Sequence, residues 1–444
     1  INITTTGILV LNAKAAIAAP ANPLDLQVSR LYAYVTTNPG GISLKNTGAI
    51  ILEDVQTFAG NIAVQATGRV TVRTVAAHSN VTIISDINDI QFDGGAGISA
   101  ANAGVVNLFG SLIDLDGKVD IATNGPITLT TPAIGSIGAS DPLEINQGPN
   151  GTLIIDYGVN VYLNLLGADV ANLTITKRST SGNAYVSSGG LYYETYDTRL
   201  WNIANSGMNF TYTHTTSDVN VRTMSAAGGD VALSSSVGSI VDYGQESFIT
   251  AHDLTMTANA TNASIGTNRD SARIETNLSG TLRASAANGT GSIYVFQNSA
   301  TPFSVGTVNS GTGVMELRSF ADVTTTANED ITGANVIINL EADDRRLTAN
   351  AATSITSTSD TATYDLTLIA DKMTLQSSGG DSIKASGAAG TLLVRAFRHG
   401  TAMKLGATAG ADDNSTLTLD ATDLAALDTN SGDFHFGLYN SDTN

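Results

Sequence analysis

The stretch 237–298, VGSIVDYGQESFITAHDLTMTANATNASIGTNRDSARIETNLSGTLRASAANGTGSIYVFQN, decides the fold. It holds short alternating runs, Asp253-Leu254-Thr255-Met256-Thr257, Gly280-Thr281-Leu282-Arg283-Ala284 and Ser292-Ile293-Tyr294-Val295-Phe296, separated by Gly, Asn, Ser and Thr. Each run is too short for a core helix, and its period of two turns one face inward, as on a strand.

A looser copy lies upstream. Val106-Asn107-Leu108 corresponds to Val231-Ala232-Leu233, Pro126-Ile127-Thr128-Leu129-Thr130 to the run at Asp253, and Ser136-Ile137-Gly138 to Ser264-Ile265-Gly266. Ile121 and Ile249 keep the same offset of about 127 residues, which is far longer than one supersecondary unit, so each copy contains several coils. Repeats that cannot bury a face alone become stable by stacking, and stacked short strands make a β-solenoid. The fold class expected is therefore all-β, an elongated parallel β-solenoid. At roughly 20–25 residues per coil and about 4.8 Å per layer, the rod would be on the order of 90 Å long.

Composition fits that reading. The chain has 444 residues, more than one globular core accommodates, but a solenoid core grows in one dimension only. Charged residues make up 14% against about 25% in an ordinary soluble domain, so the polar surface is mostly hydroxyl and amide. The formal net charge of -19 argues against a nucleic-acid partner, which needs clustered Lys and Arg. Cysteine is absent, which removes disulfides and thiolate metal sites. No apolar run reaches the roughly 18 residues of a membrane-spanning helix, so no membrane span is expected.

Along the chain, residues 1–40 read as an opening strand and a short irregular segment, with Ala13 to Ala19 the best helical candidate before Pro20. Residues 41–175 form a first solenoid module, and 218–444 hold the second and third. Between them, 176–217 breaks the rhythm: Tyr185, Tyr192, Tyr193, Tyr196, Trp201, Phe210 and Tyr212 crowd together in an aromatic-rich insertion or irregular coils. A thin coil has little room for so many rings, so some should face outward. Such rings suit a surface glycan or a protein partner, and equally a local core packed over a bend.

Ile113-Asp114-Leu115-Asp116-Gly117-Lys118-Val119-Asp120 has the opening spacing of a calcium loop, with oxygens from Asp114, Asp116 and Asp120. The bidentate acid that should follow is missing, so outward strand residues are the commoner reading of such a run, and calcium is the one cofactor weighed. The five histidines, His78, His214, His252, His399 and His435, show no metal-ligand spacing. Catalytic residues are not assigned. A polysaccharide lyase or hydrolase would need clustered carboxylates beside a base such as Lys118 or Arg222, which spacing does not establish.

Residues 390–437, GTLLVRAFRHGTAMKLGATAGADDNSTLTLDATDLAALDTNSGDFHFG, resemble a repeat of the giant bacterial surface proteins of the filamentous hemagglutinin class. The likeness rests on the strand ending in Arg395, the Lys404-Leu405-Gly406 step, Leu417-Thr418-Leu419 with Ala421-Thr422-Asp423-Leu424, and Phe434-His435-Phe436-Gly437. It implies a right-handed parallel β-helix on the bacterial cell surface, extracellular, serving as a non-catalytic fibre or adhesin shaft. Partners would then be further copies of the chain, joined head to tail, or neighbouring segments of a longer polypeptide. A glycan-binding adhesin module and a polysaccharide-degrading enzyme are the alternatives.

Overall fold

A computed structural model describes residues 2–37, 39–114, 119–132, 135–138, 142–147, 151–166, 172–178, 183–187, 192–196, 199–206, 209–244, 247–269, 272–359, 365–376, 383–398, 401–407, 416–430 and 432–437. Among them the chain is nearly all strand, and the strands stack in parallel as a β-solenoid. It divides into two compact units, Ile1–Thr215 and Thr216–Asn444.

In the first unit, one inward column runs Ile42, Ile62, Val81, Val106, Ile127, Leu153, Leu173 and Phe210, each the register partner of the next. Two residues further along the same strands, Leu44, Val64, Ile83, Leu108, Leu129, Ile155, Ile175 and Tyr212 form a second column. Alternation puts both columns on one face, and each of these side chains is buried. Full burial of an aliphatic side chain contributes roughly 1.5–3 kcal/mol, so a column stabilises the stack level by level.

Stacking already includes the first forty residues. Asn2–Thr4 pairs with Leu24–Gln27, and Ile8–Ala13 pairs with Arg30–Val35. The short helix expected over Ala13 to Ala19 does not form. Ile17 instead turns inward, 7% exposed, and bridges Ile42. Burying one more apolar side chain against the next coil outweighs the weak helical tendency of so short a run.

The rhythm also changes where the aromatic residues begin. Asn172–Lys177 pairs in parallel with Asn209–His214, skipping the residues between them. The skipped part contains Asn183–Ser187, Tyr192–Tyr196 and Arg199–Ser206, joined as an antiparallel meander, and its first strand stacks in parallel on Val161–Leu165.

In the second unit the column is Val219, Ile240, Ile265, Ile293, Met315, Val336, Leu366 and Leu392. A companion runs Ile274, Val295, Leu317, Ile338, Leu368 and Val394. The helix Ala421–Ala425 is closed by a capping box in which Asp420 Oδ1 accepts from the Asp423 amide and Asp423 Oδ2 from the Asp420 amide.

The sequence repeat has a structural counterpart. Ile137 bridges Leu112 and Val161, and Ile265 bridges Ile240 and Ile293. Gly138 and Gly266 follow them with φ of 67° and 66°, and a Cβ there would sit 2.3 Å from the Tyr162 carbonyl oxygen and 2.4 Å from that of Tyr294. Only glycine accepts both the left-handed backbone and that approach.

Candidate functional site

Where a strand begins, the residue just before it has an amide that the ladder of the preceding coil leaves unpaired. In the second unit a side chain supplies the missing acceptor at four successive levels. Asp218 Oδ1 accepts from the Ser239 amide at 2.6 Å, Ser239 Oγ from Ser264 at 3.0 Å, Ser264 Oγ from Ser292 at 3.0 Å, and Ser292 Oγ from Val314 at 3.1 Å. The next residue along returns the bond: the amides of Val219, Ile240 and Ile265 donate to the carbonyls of Ser239, Ser264 and Ser292. Each of these coils thus grips both backbone polar groups of one residue in the next. Asp365 Oδ2 does the same for Thr391 at 2.9 Å.

The first unit repeats the device with asparagine. Asn61 Oδ1 accepts from the Asn80 amide at 3.0 Å, and Asn80 Oδ1 accepts from Val105 at 2.9 Å. Corners inside the coil are closed by small polar side chains. Thr123 Oγ1 donates to the Gly104 carbonyl at 2.8 Å and accepts from the Gly125 amide at 3.0 Å. Such bonds satisfy buried backbone groups that the strand ladders do not reach.

A second line of acceptors in the later unit contains a grouping that local spacing did not reveal. Asp230, His252 and Asp253 are the one trio of metal-type ligands that converges among the described residues. His252 Nδ1 lies 3.2 Å from Asp230 Oδ1 and 3.2 Å from Asp253 Oδ1. The same oxygens already hold backbone: Asp230 Oδ1 accepts from the Asp253 amide at 3.2 Å, and Asp253 Oδ1 from the Thr281 amide at 2.7 Å. Asp253 also faces Arg283 Nη1 at 3.7 Å. The geometry is that of coil lacing with an exposed imidazole beside it. Its signal lies in residues one coil apart, which a search for local ligand motifs passes over.

Of the calcium group, Asp116 and the side chain of Asp114 lie outside the described residues. Asp120 is 2% exposed, and its Oδ2 accepts from the Glu144 amide at 2.9 Å. It therefore serves as an inward acceptor for the next coil. Of the aromatic group, the side chains of Tyr185, Tyr192, Tyr193, Tyr196 and Trp201 lie outside the described residues. Phe210 and Tyr212 occupy the two inner columns, with ring centroids 6.5 Å apart and planes 10° from parallel. Both are buried, so neither offers a face to a ligand.

The interior beside Tyr212 is unusually polar. Tyr157, Lys177 and His214 are successive register partners and all are fully buried, with the Lys177 ammonium 5.8 Å from the centre of the Tyr157 ring. The Tyr212 hydroxyl has no hydrogen-bond partner among the described residues. Burial, and after it the neighbouring Tyr157, push the Tyr212 phenol well above its ordinary value, so it stays neutral.

Ion pairs also run from coil to coil. Glu53, buried on the first unit, lies between Arg30 and Arg73, and Arg73 reaches Asp93 at 3.2 Å. In the second unit Arg273, 2% exposed, holds both carboxylate oxygens of Glu316 at 3.1 and 3.2 Å. No helix among the described residues is long and apolar enough to cross a membrane. Comparison of the chain with protein-family models, curated proteins and solved structures finds no match in any of the three.

Proposed function

We propose that the chain is a structural, non-catalytic segment of an extracellular fibre or adhesin shaft on a bacterial cell surface. The observation that carries this reading is the ladder Asp218, Ser239, Ser264, Ser292, in which side chains with the chemistry of catalytic groups are committed to holding one coil on the next. Carboxylates that an enzyme would converge on a substrate are spread as acceptors for backbone amides and as partners of arginine, as at Asp120, Asp253 and Glu316. A stack laced at successive levels resists extension, because the rungs at those levels must break before the next coil peels away. The likeness of residues 390–437 to filamentous hemagglutinin repeats supports the surface location, and the low content of charge suits a surface built from repeated hydroxyl and amide groups.

The test is mechanical. Stretched from its two ends in an optical trap, the full chain should yield coil by coil at a force that drops when Ser239, Ser264 and Ser292 are all changed to Ala. Equal forces for the two proteins would remove the ladder as the working part. Immunogold labelling that finds the native protein inside the cell would overturn the surface assignment, and release of reducing ends from acidic polysaccharides would replace the shaft with an enzyme.

A further inference from the structure

Strands Arg30–Val35 and Ile50–Thr57 lie side by side in the first unit, with Tyr34 opposite Gln56 and Val35 opposite Thr57. The ends of these strands and the residue after each wall a cleft of about 370 Å³ lined by Tyr34, Val35, Thr36, Gln56, Thr57 and Phe58. That volume falls within the roughly 300–1,000 Å³ of small-ligand clefts. Phe58 is 65% exposed, an apolar ring held in water by a turn that has no need of it for packing.

The polar side of the cleft is oriented from behind. The Tyr34 hydroxyl donates to Asp54 Oδ2 at 3.0 Å, and Gln56 Nε2 donates to Asp54 Oδ1 at 2.6 Å. Burial, and after it the bond to Asp54, raise the Tyr34 phenol above its ordinary value, so the phenol keeps its proton, points it at Asp54 and leaves its oxygen free to accept. Gln56 keeps its carbonyl and a second N–H. Asp54 itself does not line the cleft, and no charged side chain does. The lining therefore selects neither an anion nor a cation. It offers one flat aromatic face with fixed neutral donors and acceptors at its edge.

A pyranose matches both halves, because one face of the ring is a patch of C–H groups and its rim carries hydroxyls that both donate and accept. We propose that this cleft binds a neutral oligosaccharide, with one sugar ring stacked on Phe58 and its hydroxyls held by Gln56 and Tyr34, while Asp54 acts as a positioning residue. The site is separate from the coil ladders, so the shaft reading and this one stand or fall independently.

The test uses the full chain and three neutral probes, cellohexaose, maltohexaose and mannohexaose, with saturation-transfer NMR. At least one probe should receive saturation, strongest at the C–H protons of one ring face. Phe58→Ala should weaken binding about tenfold, as expected for loss of a stacked aromatic contact, and Phe58→Trp should retain or tighten it. Asp54→Asn should weaken binding while circular dichroism stays unchanged. Absence of transfer to all three probes, equal binding by Phe58→Ala, or tighter binding of a hexuronate oligomer than of the neutral sugars would each overturn the proposal. If Phe58→Ala fails to fold, a Phe58→Trp protein that loses binding overturns it as well.

Discussion

Glu329 holds Arg283 across 46 residues of sequence: Oε2 accepts from Arg283 Nε at 2.9 Å and Oε1 from Nη2 at 2.5 Å. Oε2 also accepts from the Thr307 amide at 2.7 Å. The bonds from Arg283, with that from Thr307 behind them, bring the Glu329 carboxyl from its ordinary 4.5 down to about 2. Since the folded value lies below the unfolded one, the contribution is complete above about pH 4.5 and is lost as pH falls towards 2. Wild type and Glu329→Gln should therefore differ in urea midpoint near neutral pH and converge as the solution is acidified through that window. A gap that stays constant would show that the pair does not titrate with folding.

Ser264 both gives and receives a rung, so its hydroxyl can be removed without disturbing the apolar column beside it. Ser264→Ala should cost about 1 kcal/mol, the net worth of a typical hydrogen bond, with more if the Ser292 amide is left dry. Ser264→Thr should recover most of it. Urea unfolding of the three proteins, compared at unchanged slope, measures the difference.

Gly138 and Gly266 provide matched substitutions in the two units. Alanine at either must adopt a left-handed backbone, at roughly 1–2 kcal/mol, and also displace a tyrosine carbonyl oxygen 2.3 or 2.4 Å from the new Cβ. Both variants should be destabilised to a similar degree, each in its own unit. Amide hydrogen exchange located by proteolytic fragments would show it, and a large effect confined to one unit would break the structural equivalence of the repeat.

Tyr212→Phe should not destabilise the protein. Its hydroxyl is buried without a partner among the described residues, so removing it relieves a desolvation cost of about 1–3 kcal/mol, and thermal unfolding should move upward. The raised phenol adds an alkaline signature: the unfolded chain ionises first, so the stability that depends on a neutral Tyr212 fades as pH rises above about 10. Tyr212→Phe should flatten that decline.

The strands were legible because their period is local. Leu254, Met256 and Ala258 alternate within one run and lie inward as that run implies. The repeat was legible as well, since Ile137-Gly138 and Ile265-Gly266 need the same tight backbone at the same place in a coil. What escaped was everything decided between coils. Asp230 and Asp253 are 23 residues apart and meet only because one turn of the solenoid separates them. The same holds for Phe210 and Tyr212, the part of the aromatic stretch whose side chains are described. Phe210 and Tyr212 continue the columns of Leu173 and Ile175, and register, not ring size, decided their side. The Ser or Asp that precedes the first four residues of the second unit's column, Asp218-Val219, Ser239-Ile240, Ser264-Ile265 and Ser292-Ile293, was the visible trace of the ladder.

The ladder also has a direction. Asp218 waits for Ser239, Ser239 for Ser264 and Ser264 for Ser292, so the acceptor always belongs to the coil made first, and the sequence gaps are only 21, 25 and 28 residues. Parallel sheets are slow to assemble when their partners are far apart in the chain, but here each partner arrives within one turn. A polypeptide emerging amino end first, from a ribosome or through a narrow export channel, would find every docking atom already in place. Folding could then proceed as vectorial templating, each finished layer serving as the mould for the one behind it.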